Sequence, residues 1–204
     1  MEGNMFKKIS IFIVLVVSGL SMLYATGSAE QKQKKSADNS AVLFSLLNHF
    51  SARNYAVGQI TQEERDIIVQ AGLRSTSAGN RQPWFFTVVQ NQDLVKQILP
   101  EATEGNILIV GSGALGGTNR DAVLLDAGLA AQSMFIAAQA LGLGARQYTN
   151  SGLIGRANNL KKELGIPEDH TAIIVTRIGR LPAGVDVVSS ASARAEPDTK
   201  VVYR

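Results

Sequence analysis

No cysteine occurs in this chain of 204 residues. Disulfides, thiolate nucleophiles, Cys-ligated zinc and iron–sulfur clusters are therefore excluded. Histidine is nearly as scarce: His49 and His170 are the only two, too few for a His-rich metal site. Charge is also sparse. Charged residues make up 18% of the chain and the net charge is +3. Several of the positive charges cluster at Lys32, Lys34 and Lys35. No basic stripe interleaved with aromatics exists, so nucleic acid is set aside as a partner. Paired catalytic carboxylates are missing too. What is present is apolar: 45% hydrophobic residues, which excludes a mostly disordered chain.

The N-terminus has the pattern of an export signal. Lys7-Lys8 is a positive n-region, and Ile9 to Leu23 is an apolar run. Small residues follow at Ala25, Gly27 and Ala29, where a signal peptidase reads. Residues 1–29 are thus expected to be a cleaved signal peptide or an uncleaved membrane anchor. The protein is then exported, to a periplasm or beyond, or held at a membrane. No Cys follows the run, which excludes a bacterial lipoprotein anchor, and no twin Arg precedes it. Residues 30–39 are polar and Lys/Gln-rich, a solvated linker. The folded domain is expected over 40–204.

Within that domain, Val42, Leu43, Leu46, Leu47 and Phe50 recur at a helical period. Thr61-Gln62-Glu63-Glu64 reads as a capping box opening a helix through Leu73. Ile67, Ile68 and Ala71 are expected on its inner side. Phe85–Val89, Ile107–Val110 and Ala172–Gly179 read as strands, the latter two buried on both faces. Short helices are expected over Asp93–Leu99 and Gly152–Leu164. Between them, Asp121–Leu141 is a long helix, apolar nearly all round, and so buried in a core or an interface. Gly142-Leu143-Gly144 ends it. A few strands against about five helices give an α+β class.

Two polar stretches lie at the ends of apolar helices: His49–Tyr55 and Arg74–Trp84. Each by itself reads as an ordinary capped connection. Together with their neighbours they carry a resemblance. Ser51-Ala52-Arg53-Asn54-Tyr55 follows a helix, and Thr76-Ser77-Ala78-Gly79-Asn80-Arg81-Gln82-Pro83-Trp84 comes some two dozen residues later. The long helix ends in Ala138-Gln139-Ala140-Leu141-Gly142-Leu143-Gly144, and a strand runs to Ile178-Gly179. In this order the chain, from about Leu43 onward, resembles the FMN-dependent nitroreductase family.

The resemblance implies a three-layer α-β-α domain with a mainly antiparallel central sheet, paired as a homodimer with FMN at the interface. It implies hydride transfer through flavin N5 to nitroaromatics, quinones or similar flat acceptors, with NAD(P)H or another electron donor. His49, Phe50, Ser51 and Arg53 match positions that hold the phosphate; Arg194 is near the place where tail cations reach it. Thr76, Ser77 and Ala78 match a loop that meets the flavin from the partner subunit. Asn80 and Gln82 brace that loop or meet the flavin's polar edge. Tyr148, Thr149 and Asn150 stand where backbone N–H groups face N5. No side chain is assigned as an acid or base, and no metal is implied. Three departures stand out: His49 replaces the usual Arg, Thr76 the usual Pro, and Tyr148–Asn150 lacks the Gly often found there. They support a rival reading, an exported binding module of the same fold that has lost flavin or redox activity.

One further pattern competes. Gly111-Ser112-Gly113-Ala114-Leu115-Gly116 spells the dinucleotide fingerprint after an apolar strand. That fingerprint needs a second parallel strand ending in an acidic residue. Ala145–Asn150 has no Asp or Glu, so Gly111–Gly117 is read as a flexible connection instead.

Overall fold

The computed structural model describes residues 42–185, 193–196 and 199–204. The segment expected as a signal or anchor, 1–29, and the expected linker, 30–39, lie outside the described residues. The chain divides into two units, residues 1–47 and 48–204. The described part of the first is helical, and that helix (α1) covers 42–48. The second carries the fold.

Its helices are α2 (Gln62–Leu73), α3 (Gln92–Ile98), α4 (Arg120–Ala140) and α5 (Ser151–Asn159). Its strands are β1 (Trp84–Val89), β2 (Ile107–Ala114), β3 (Leu143–Tyr148) and β4 (His170–Arg180). They form one sheet in the order β1-β2-β4-β3, with every neighbouring pair antiparallel.

Successive strand residues point to opposite faces. On β2, Leu108 and Val110 pack with Val95, Ile98, Leu153 and Leu164 on the α3/α5 side. Ile107 and Ile109 pack with Ile68, Met134, Phe135 and Ala138 on the α2/α4 side. Covering both faces is what makes the run apolar at every position, and it produces the three layers α-β-α. Gly72 lets α2 approach α4: a Cβ there would sit 2.8 Å from Met134 Cγ.

The structure corrects several boundaries. Gly111 to Ala114 belongs to β2 rather than to a loop, with a bulge at Gly111/Ser112. These glycines admit neighbours: a Cβ on Gly113 would meet Val123 Cγ1 at 2.6 Å. The fingerprint reading is excluded because β2 pairs antiparallel on both sides. Leu143–Tyr148 is a strand, where the sequence suggested only the end of a helix. α5 stops at Asn159, short of Leu164. Ile67 is exposed on α2, while Ile68 and Gly72 face inward.

The capping box of α2 is present. Thr61 Oγ1 accepts from the Glu64 N–H, and Glu64 Oε2 accepts from the Thr61 N–H. Arg180 at the end of β4 donates to both Glu64 oxygens, each at 2.7 Å. The Arg180 hydrogen bonds hold the Glu64 carboxyl below the ordinary glutamate value of 4.5; burial opposes them and the Thr61 N–H adds to them. A lowered folded-state pKa gives stability that is present above the ordinary value and is lost as pH falls through the lowered one. Glu64→Gln is therefore expected to be less stable than wild type at neutral pH, with the gap closing in acid as pH falls through the lowered Glu64 value. Urea midpoints at neutral and acid pH check this; a gap undiminished in acid would contradict it.

Candidate functional site

Residues 49–55 have no regular secondary structure, yet the segment is tied down along its length. Ala52 N–H donates to Ala145 O on β3 at 3.0 Å, and Ala56 N–H to Arg180 O on β4 at 2.9 Å. An extended chain alternates its side chains. Phe50 and Ala52 are buried, at 4% and 1% exposure, which turns Ser51 and Arg53 outward. Ala52 is small because β3 is close: a Cβ on Gly144 would lie 3.0 Å from Ala52 Cβ.

Tyr55 anchors the far end of the segment. Its ring lies under the Arg177 guanidinium at 3.9 Å. Burial pushes the Tyr55 phenol well above its usual range, and Arg177 opposes this only in part. Arg177, 3% exposed, also donates to Asn106 Oδ1 at 2.7 Å and Thr103 Oγ1 at 3.2 Å.

Ser51 and Arg53 open into a cavity of about 250 Å³. His49 and Phe50 line it from the same segment, Gln132 and Phe135 from α4, Gln147 from β3, and Arg194 from the C-terminal tail. The His49 ring meets Phe135 edge-on at 5.7 Å. Arg194 Nη2 donates to the His49 carbonyl at 3.2 Å. Two guanidiniums, a hydroxyl and an imidazole thus converge, and among the described residues no carboxylate lines the cavity. This donor set suits a phosphate: guanidinium recognises it bidentately, and a hydroxyl adds a further donor. Gln147 Nε2 in the wall is buried without a hydrogen-bond partner.

The loop from Thr76 to Gln82 lies elsewhere on the chain. Thr76, Ala78, Asn80 and Gln82 are exposed, and Ser77 is half-buried. Its backbone is left-handed at Gly79, Asn80 and Gln82, with φ of 61°, 54° and 49°. Gln adopts that region reluctantly. The loop holds it there: Gln82 N–H donates to Ser77 Oγ at 3.0 Å, and Gln82 Nε2 to Asn80 Oδ1 at 3.1 Å. Ala78 N–H donates to Oδ1 of buried Asp126 on α4 at 3.0 Å. Ser75 and Ser133 hydroxyls meet at 3.4 Å. Asp126 and Ser133 share one face of α4. Phe135 falls about half a turn away, at roughly 100° per residue. Loop and cavity of one chain therefore occupy opposite faces of the same helix.

Tyr148, Thr149 and Asn150 form a third group. The Tyr148 ring is buried in the α3/α5-side core, and Arg146 lies 4.9 Å above it. Asn150 Oδ1 caps α5 by accepting from the Leu153 N–H. Thr149 is exposed between them. The residues singled out in the sequence thus fall into a cavity set, a loop set and a β3–α5 junction. Gln132, Phe135 and Gln147 were missed. Polar Gln132, three before Phe135 on a largely apolar helix, was the available signal.

The sequence and the fold are similar to those of known proteins. The model of the nitroreductase family matches residues 46–112. A protein of Archaeoglobus fulgidus, assigned as an NADH dehydrogenase/NAD(P)H nitroreductase, is 30% identical over 138 residues, covering 63% of this chain and 79% of its own length. Among solved structures, a nitroreductase with bound FMN from Desulfitobacterium hafniense superposes with a TM-score of 0.67 at 20% identity, covering 80% of this chain and 98% of its own. The NADPH:FMN oxidoreductase of Vibrio harveyi, complexed with NAD+, gives 0.66 at 22% identity, covering 80% and 76%.

Proposed function

The chain belongs to the nitroreductase family of oxidoreductases, and from that premise we propose that it is an FMN-dependent enzyme working as a homodimer. The carrying observation is the cationic cavity lined by Arg53, Arg194, Ser51 and His49. Arg53 and Arg194 would neutralise the phosphate, and the Ser51 hydroxyl would donate to it. The His49 imidazole would add a ring N–H donor. Phe50 and Phe135 close the cavity on its apolar side. A cavity of about 250 Å³ suits a phosphate and part of a polyol chain rather than a whole flavin nucleotide. The exposed loop from Thr76 to Gln82 is the surface to complete the site, offered to the partner subunit because it faces away from its own chain's cavity. Tyr148 to Asn150 would border the flavin ring.

Bound FMN supplies the hydride chemistry; the chain binds it, orients it and limits water. NADH or NADPH is the proposed donor, and nitroaromatics or quinones are the proposed acceptors. The His49 substitution favours a second reading, a flavin-free binding module, because a neutral imidazole holds a phosphate less firmly than a guanidinium does. Colour decides between them. The purified protein, supplied with FMN and desalted, is expected to keep the two visible flavin bands and to lose them when NADH or NADPH is added without air. Protein that stays colourless supports the module and overturns the enzyme.

A further inference from the structure

Phe50 sits between His49 and Ser51, and its backbone belongs to no helix or strand. A buried backbone needs partners for its N–H and C=O. Both are met by one side chain. Phe50 N–H donates to Gln139 Oε1 at 3.1 Å, and Gln139 Nε2 donates back to the Phe50 carbonyl. A carboxamide is the side-chain group that offers a donor and an acceptor side by side as a strand edge does. Gln139 lies on α4 one turn beyond Phe135 and two beyond Gln132, both of which line the cavity. The helix that forms the cavity wall therefore also fixes the backbone that carries its cations.

We propose that Gln139 is a positioning residue for the anion end of the site. Its carboxamide sets the Phe50 peptide units, and through them the spacing of His49, Ser51 and Arg53. It touches no ligand itself. Arg194 grips the adjacent His49 carbonyl, so the segment is held from α4 on one side and from the tail on the other. This inference rests on the flavin reading above, and its sharpest consequence is selective. Loosening Phe50 disturbs the phosphate contacts and leaves those to the ring alone.

The test is fluorescence titration of full-length protein with FMN and with riboflavin, which lacks the phosphate. Gln139→Met keeps length and volume but removes both hydrogen bonds. FMN affinity is expected to fall about tenfold, while riboflavin affinity stays within about twofold. Should Gln139→Met fail to fold, Gln139→Asn carries the test, because it keeps an uncharged carboxamide but is one methylene too short to meet both the Phe50 N–H and its carbonyl. The same selective loss is expected of it. Equal weakening of both ligands would reduce Gln139 to a general packing role and overturn the inference, as would no change in either. Wild-type protein that binds neither flavin overturns the enzyme reading itself, and Gln139's role with it, an outcome distinct from the other two.

Discussion

Gly179→Ala is expected to cost about 3–5 kcal/mol of stability, enough to lower the melting temperature by roughly 10 °C or more. The position is fully enclosed. A Cβ there would sit 2.2 Å from Asn106 Nδ2 and 2.7 Å from Tyr55 Cδ1. Asn106 is 0% exposed and cannot swing aside freely, since its Oδ1 accepts from Arg177 Nε and from the Thr103 N–H. Displacing it strips a buried guanidinium of its closest acceptor. Tyr55 cannot yield either without leaving the face of Arg177. The methyl group therefore costs more than its own volume. Domains of this kind are stable by about 5–15 kcal/mol, so the variant loses a large share. Thermal and urea melts measure it; a loss below about 1 kcal/mol would show that the cluster can rearrange.

Arg53→Ala is expected to weaken FMN binding by about tenfold to a hundredfold. That range follows from one charge-assisted hydrogen bond worth roughly 1.5–3 kcal/mol. The fold itself should tolerate the change, because Arg53 is exposed and the backbone bonds around it belong to Ala52 and Ala56. Riboflavin affinity should hardly move. Removing Arg194 as well should not double the loss, because two cations on one anion are not independent. An FMN affinity equal to wild type in Arg53→Ala would move the phosphate out of this cavity.

Much of this arrangement could be read before any coordinates. Thr61-Gln62-Glu63-Glu64 announced α2 because a capping box is local chemistry. Ile107–Val110 announced a doubly covered strand because no polar residue interrupts it. Other parts could not be read, for physical reasons. β3 is Leu-Gly-Ala-Arg-Gln-Tyr, without a β-branched residue, and its strand character comes from pairing with β4 rather than from propensity. The glycines of β2 looked like loop punctuation, yet they are there because Val123 and Ile174 pack where side chains would be. The loop and the His49–Arg53 segment stood out through their order along the chain. Gln132 and Gln147 did not, since a cavity wall built from a helix and an unrecognised strand has no contiguous signature. The same holds for Gln139, whose role depends on a residue far back in the chain.

The strand order carries a consequence for how the protein comes to be made. Among the described residues β4 is the last strand, yet it lies between β2 and β3. Until residues 170–180 have been synthesised, one edge of β2, with its Ile107-Leu108-Ile109-Val110 run, has no native partner. β3 lacks one too, since among the described residues it pairs with β4 alone. Open apolar edges invite pairing with other chains, and a late central strand makes sheet closure wait on distant contacts. Shortened products ending before His170 should therefore collect in aggregates rather than as smaller folded domains. In the cell, a growing chain of this kind needs shielding until its final strand arrives.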